Sequence, residues 1–495
     1  MSPSTSTHGN VTVPTFRSLG VRPLINARGT YTIISGSRAL DCVVAAMVEA
    51  TNHYVHMDEL MTRVGERLAE LTGAEWGYVS SGAAAALAEV TAACIAGADP
   101  ERMARLPDVC GMRHEVVMQA GHRNGYDRAI RMTGARIVEV ETPGDLEAAI
   151  GEGTAMVAIT GDQAHRGQIP VHAMIDAAHR HGIPCLVDAA AERPDVPNRY
   201  LDMGADAVAY SGGKCLRGPQ ASGLVLGRKD LLWAAYLNGA PHHGLGRPMK
   251  AGKEEIMGLL AAVEAWVQGR DHDAEWRCWE GCLERIRAAV ADLPSVVTEI
   301  EQPGIANVAP TLTIRWDPQT LRCTPQQIHQ ELLDGEPSIG VHLLDGGLRV
   351  MPYMLEEGDD AIIAARLSAL MVQPHELPTP RAVEPAAADV SGRWAVEVRY
   401  TYGCSAYTAS LAQDGNALSG ELCTPFTVSP VEGTISGREV TWGAALGYES
   451  NRTLYRFSGA VVDGVMRGTV SLGEYGTADW EARPAAANAP TPIGG

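Results

Sequence analysis

The chain has 495 residues, 45% of them apolar, enough for two or three domains with buried cores. No uninterrupted apolar run reaches the ~18–20 residues of a membrane span. Its 40 basic and 59 acidic side chains leave a formal charge of −19, which argues against nucleic-acid partners, since those call for a basic face.

Residues 1–40 read as a lead and arm, and Met1–Asn10 lack the basic-then-apolar order of a secretion signal. The ten cysteines form no CxxC pair, so free thiols in a cytoplasmic protein are expected. Cys278 and Cys282, one helical turn apart, should pack, and Cys215 reads as a small turn residue. No HxxxH or HExxH spacing occurs, so no metal is expected.

Residues 41–260 should form a large α/β domain. Met57–Leu71 has apolar residues at helical spacing, with charges opposite. Trp76–Val79 reads as a strand turning at Ser80-Ser81-Gly82-Ala83 into an alanine-rich helix. Strands at Glu115–Gln119, Arg136–Val140, Met156–Thr160, Pro184–Asp188, Ala207–Ser211 and Ser222–Gly227 follow, with helices near Gly125, Leu146 and Val171–His181. Such alternation predicts a doubly wound sheet with its ligand site at the strand tips. Residues 261–372 should form a smaller α+β domain. Its helices include the end of Ile256–Gln268, Trp276–Leu293 and Asp360–Met371, and its strands are Thr311–Trp316 and Leu348–Met351.

The proline-rich stretch 373–390 reads as a linker. Residues 391–484 carry some seven alternating segments, among them Gly433–Trp442, and predict an antiparallel β-barrel-like domain. Trp394, Trp442 and Trp480 fall on those segments as expected core. Residues 485–495 read as a flexible tail.

The chemistry concentrates in one constellation. Lys214 follows the strand Ala207–Ser211 through a glycine turn, and Asp188 ends another strand. A lysine amine and a carboxylate on neighbouring strand tips suit pyridoxal 5′-phosphate (PLP): the amine forms an imine with the aldehyde, and the carboxylate keeps the pyridine nitrogen protonated. Ser80, Ser81, Gly82 and Ala83 would supply the phosphate site, because a helix N-terminus offers free N–H groups and a positive dipole end.

The segments Ile25–Thr30, Gly121–Asp127, Val187–Glu192, Ser211–Gln220 and Gly246–Glu254 resemble fold-type I PLP enzymes. They are most similar to the group containing L-seryl-tRNA(Sec) selenium transferase and D-glucosaminate-6-phosphate ammonia-lyase. The resemblance covers roughly residues 15–370 and implies the PLP-dependent transferase fold, with the C-terminal β domain as a departure. By motif it implies Lys214 as the imine lysine, Asp188 as the pyridinium partner, Ser211 as a further phosphate hydroxyl and His122 stacked on the cofactor ring. Core motifs that begin by residue 25, together with the acidic charge, disfavour the tRNA-dependent branch.

Arg217, Arg247, Lys250 and Lys253 cluster after the lysine and read as a clamp for phosphate or carboxylate. Arg349 sits where many fold-type I enzymes hold a substrate carboxylate. His165, His242 and His243 are further polar candidates. The expected activity is that of a lyase acting on a small polar amino acid or amino-sugar acid, eliminating ammonia or a β-substituent. An aldolase or racemase, or a non-catalytic ligand-binding protein, are the alternatives. Fold-type I sites usually lie at a subunit interface, so a homo-oligomer is expected.

Overall fold

The computed structural model describes residues 13–306, 308–373, 375–377 and 382–485. The expected lead before Val13, the tail after Ala485 and the linker prolines Pro374, Pro378 and Pro380 lie outside these residues. The chain divides into two compact units, Met1–Leu377 and Pro378–Gly495.

The first unit is built on a seven-stranded sheet. In spatial order its strands are Trp76–Ser80, Gly223–Gly227, Ala207–Ser211, Cys185–Asp188, Thr154–Thr160, Glu115–Gln119 and Arg136–Val140. All pairings are parallel except those of Gly223–Gly227, which runs against both neighbours. Every residue of Trp76–Ser80, Thr154–Thr160 and Gly223–Gly227 is buried. Sheets covered on both faces read as continuous apolar runs, and these strands do. Helix Ala83–Ala96 is nearly all alanine and other small or apolar residues, and it is buried along most of its length.

Strand register brings the polar residues into line. Ser80 and Ser211 both pair with Gly223, and Asp188 pairs with Ala209 on one side and Thr160 on the other. Residues from distant parts of the sequence thus share one edge of the sheet.

A four-stranded antiparallel sheet makes the smaller subdomain, in the order His342–Leu344, Gly347–Val350, Thr311–Arg315, Val297–Glu301. Helices His272–Ala288 and Asp359–Val372 contribute to the same core, with Leu283, Ile286, Leu312, Ile314, Leu348, Val350, Ile363 and Leu367 fully buried. The arm joins this subdomain: Leu24–Asn26 pairs in parallel with Ser338–Gly340.

The second unit is a closed barrel of eight antiparallel strands. Its core holds Trp394, Trp442 and Trp480, as the alternation predicts, with Trp442 stacked on Phe457 at 3.8 Å between ring centroids. The single segment expected at Gly433–Trp442 is instead parts of two strands, Val428–Ser436 and Glu439–Tyr448. Gly437 at φ 57° makes a two-residue hairpin between them, a conformation glycine adopts without a Cβ penalty. Within the stretch read as a linker, residues from Glu384 onward attach to the barrel. The Glu384 carbonyl accepts from Asn416, and Val390 is wholly buried in the core.

Candidate functional site

The Ser211–Gln220 segment folds as it does because its glycines have no room for side chains. A Cβ on Gly212 would meet Ser222 Oγ at 2.1 Å, and one on Gly213 would meet Gln220 Oε1 at 2.3 Å. The turn closes on itself through Gly212 N–H to the Ser222 carbonyl (2.8 Å) and Gly218 N–H to the Gly212 carbonyl (2.9 Å). Lys214 sits half-buried in this turn. Its carbonyl accepts from the Tyr353 hydroxyl at 3.1 Å and the Arg217 N–H at 3.0 Å, which fixes the backbone that carries the amine.

Asp188 ends the neighbouring strand, with Oδ1 accepting from Ala190 N–H at 3.0 Å. Burial pushes its carboxyl up to about 6; the Ala190 N–H and the Lys214 cation oppose that rise. Behind it lies a buried network that the sequence reading named only as a motif residue or not at all. The Glu192 carboxyl accepts from the Tyr200 hydroxyl at 2.8 Å, and Asn198 donates to the Tyr210 hydroxyl at 2.7 Å. Burial moves the Glu192 carboxyl up to about 7.

The phosphate-site residues converge at the start of helix Ala83–Ala96. Gly82 caps the helix at φ 115°, and a Cβ built there meets nothing within 4 Å, so open space lies before the helix N–H groups. Gly223 is the unforeseen member: its Cβ would lie 2.6 Å from both Ser80 Oγ and the Gly82 carbonyl carbon. Ser80 is buried, and its hydroxyl donates to the Gly82 carbonyl (3.0 Å) or the Gly223 carbonyl (3.3 Å), so it shapes the turn. Ser81 and Ser211 are half-buried beside it. These residues fit a phosphate group, and the Asp188–Lys214 pair fits the rest of PLP.

Several expected roles change. His122 is fully buried with no accessible ring face: Nε2 faces Gln119 at 3.2 Å and Nδ1 accepts from the Thr160 N–H at 3.4 Å. Burial lowers it to about 4, so it is a neutral imidazole that positions the Thr160 strand end and offers no face for stacking. Arg217 donates to the Arg38 carbonyl and lies 3.7 Å from Glu356, so it braces the turn. Lys253 pairs with Glu254 at the start of helix Lys253–Glu264. Arg349 is held by Glu301 at 3.0 Å to both carboxylate oxygens and by Thr313. Arg247 and Lys250 are exposed. His242 lies 3.3 Å from Asp58, while His165 and His243 are exposed. Cys215 is buried, its thiol pushed up to about 12 by burial. The described cysteines are all free, and no cluster of three metal-ligating side chains occurs among the described residues.

Arg28 is the cation that no prediction singled out. It lies half-buried between the motif residues Asn26 and Thr30, with its Nε buried and without a hydrogen-bond partner. The neighbouring Gly29, at φ 113°, holds a backbone conformation that side chains rarely adopt, and its Cβ position lies 2.7 Å from Sδ of Met351, two residues before Tyr353. The only sequence signal was its presence in the Ile25–Thr30 motif.

Comparison with known proteins agrees with this geometry. Residues 125–249 match the aminotransferase class-V family. The chain is 34% identical over 366 residues to the D-glucosaminate-6-phosphate ammonia lyase of Salmonella typhimurium, covering 71% of this chain and 96% of that protein. It is 33% identical over 382 residues to a 5′-C-glycyluridine monooxygenase-decarboxylase of a Streptomyces species, covering 74% of this chain and 94% of that protein. Among solved structures, a D-glucosaminate-6-phosphate ammonia-lyase superposes with a TM-score of 0.64 at 33% identity, over 73% of this chain and 99% of that one.

Proposed function

Because the chain belongs to the fold-type I PLP-dependent enzymes, in the group of D-glucosaminate-6-phosphate ammonia lyase, we propose that it is a lyase acting on a small polar amino acid or amino-sugar acid. It would release ammonia or a β-substituent. The observation that carries this reading is that Asp188 ends one strand while Lys214 lies in the glycine turn after the neighbouring strand Ala207–Ser211, at the sheet edge that also holds Ser80 and Ser211. Bound PLP supplies the electron sink. The chain supplies the rest: the N–H groups that follow Gly82 bind the phosphate, the Asp188 carboxylate holds the proton on the ring nitrogen, and the freed Lys214 amine takes and returns protons at the substrate Cα. Arg28 replaces Arg349 as the substrate carboxylate anchor, because its guanidinium has a buried N–H left to donate. Arg247 and Lys250 would meet an anionic substrate or cofactor group across a two-fold dimer. The exposed apolar residues Ile33, Val44, Val48 and Tyr54 support such a dimer. No helix among the described residues is long and apolar enough to cross a membrane, and a cytoplasmic site of action is part of the proposal.

The test is a screen of amino acids, 2-amino-2-deoxy aldonic acids and their phosphate esters on the PLP-loaded enzyme, reading ammonia and keto-acid release. Lys214→Ala should abolish both release and borohydride-reducible cofactor, and Asp188→Asn should keep the cofactor and lose most of the rate. No ammonia or keto acid from any of these classes, with reducible cofactor present in the wild type, would sink the lyase reading. The Streptomyces relative favours a second reading, oxygen-dependent decarboxylation; stoichiometric oxygen uptake and CO2 release in the same screen would select it.

A further inference from the structure

The barrel has a cavity of its own. One end is shut: Val390, Val461 and Met466 are buried there, and the Trp394 indole N–H donates to the Val390 carbonyl at 2.9 Å. The other end opens into a space of about 1160 Å³, lined among others by Ser405, Tyr407, Thr424, Leu446, Thr453 and Tyr455. Strand alternation points these side chains inward, since Tyr407 shares a face with buried Ala409 and Leu411, and Tyr455 with buried Phe457. Eight-stranded barrels are wide enough to hold one small ligand.

The chemistry of the lining is specific. The Tyr400 and Tyr407 hydroxyls lie 2.7 Å apart, and Tyr455 belongs to the same cluster, interacting with both. Beneath the cavity the barrel core is aromatic and buried, with Trp442 stacked on Phe457 and Trp480 edge-on to both. The rim adds exposed Phe426 and Tyr448. None of the residues lining the cavity is Asp, Glu, Lys or Arg. In a chain with 99 such side chains, an uncharged cavity discriminates against phosphate, carboxylate and ammonium groups.

One buried donor on the inward face of this end has no partner: Asn451 Nδ2, on the register of Thr453 and Tyr455, lacks a hydrogen bond. A buried donor left unpaired is destabilising, and a ligand oxygen would satisfy it. Phenol and Ser/Thr hydroxyls both donate and accept, matching a ligand rich in hydroxyls, while aromatic faces pack against the C–H faces of a saturated ring.

We propose that the open end of the barrel binds a neutral sugar of one or two rings, stacked on the rim aromatics Phe426 and Tyr448 and hydrogen-bonded by Tyr407, Tyr455, Thr453 and Asn451. The test uses full-length, PLP-loaded protein and calorimetry against glucose, N-acetylglucosamine, maltose, cellobiose and sucrose, with gluconate and glucose 6-phosphate as charged controls. At least one neutral sugar should bind with Kd below about 1 mM, and the charged controls at least tenfold more weakly. Replacing Tyr407 and Tyr455 together by Phe should weaken binding about tenfold or more, the loss of two hydrogen bonds. Thr453→Val gives a second variant with a small change in volume, and Lys214→Ala should leave sugar binding unchanged. No neutral sugar bound at about 10 mM would overturn the proposal. So would equal binding of the charged controls, or binding indifferent to Tyr407, Tyr455 and Thr453 in folded variants.

Discussion

Gly223→Ala tests the phosphate site without touching a group that would contact the cofactor. The added Cβ would lie 2.6 Å from the Gly82 carbonyl carbon, 2.6 Å from Ser80 Oγ and 2.8 Å from the Ala83 nitrogen. Ordinary contact begins at 3.4 Å, so the shortfall is 0.6 to 0.8 Å, and two of the three atoms are backbone that cannot rotate away. Relief requires the start of helix Ala83–Ala96 to move off the sheet, carrying its N–H groups with it. Overpacking of this kind costs about 1–3 kcal/mol, which read as lost affinity is roughly a 5- to 150-fold rise in the PLP Kd. Pyridoxal, which lacks the phosphate, supplies the internal control. Absorbance titrations should show PLP affinity falling by that factor in Gly223→Ala and pyridoxal affinity changing by less than about threefold. Equal losses for both ligands would mean that the substitution disturbs the whole sheet edge, and no loss for either would place the phosphate elsewhere.

Arg349→Gln should change KM by less than about threefold and stability by about 1 kcal/mol at most, because its guanidinium is satisfied by Glu301 at a half-exposed sheet position. A tenfold rise in KM would restore it as a substrate anchor. The carboxyl of Glu89 is pushed up to about 8 by burial, with Tyr78 hydrogen-bonded to it at 3.1 Å. Its folded value lies above the unfolded 4.5, so its contribution is fully present below pH 4.5 and is lost as pH rises through about 8. Wild-type Tm should therefore fall more steeply than that of Glu89→Gln between pH 5 and about 8.5; parallel curves would contradict the assignment. Truncation after Leu377 should leave PLP binding intact, since the first unit has its own cores; loss of cofactor binding would show that the barrel completes the site.

The large sheet was legible because covered strands must be apolar throughout. Trp76–Val79 and Ala207–Ser211 stood out as short apolar runs between turn residues, and the structure has strands there; Arg136–Val140, with its two charged residues, is the less covered edge strand. Barrel strands were legible by alternation, but the hairpin at Gly437 was not, because Gly433–Trp442 alternates through it without an Asn-Gly or Asp-Gly marker. Asp188 and Lys214 each carry a local signal, one ending a strand and the other following a strand through a glycine turn. Gly223 was invisible for the opposite reason: its constraint comes from Ser80, Gly82 and Ala83, some 140 positions away, and from an antiparallel strand inserted between parallel ones.

The basic residues show the same limit from the side of electrostatics. Sequence places a guanidinium near a site but does not show which carboxylate reaches it first, and 59 acids compete for 40 cations here. Glu356 approaches Arg217, Glu254 takes Lys253, and Glu301 takes Arg349 with both oxygens, each from a backbone position that the primary structure does not bring close by spacing alone, except for the adjacent Lys253–Glu254 pair. A paired arginine has spent its bidentate face, so binding a substrate carboxylate would cost the existing partner. Arg28 differs because it sits on the short segment between the strand Leu24–Asn26 and the Tyr31 turn. Its neighbours there include Tyr31, beneath the guanidinium at 5.5 Å, and His342 and His329, whose pKa values are lowered by burial first and by the Arg28 charge as well. Among the described residues no carboxylate pairs with Arg28, and its buried Nε–H is unspent, which is why the proposed anchor is this arginine and not the paired Arg349.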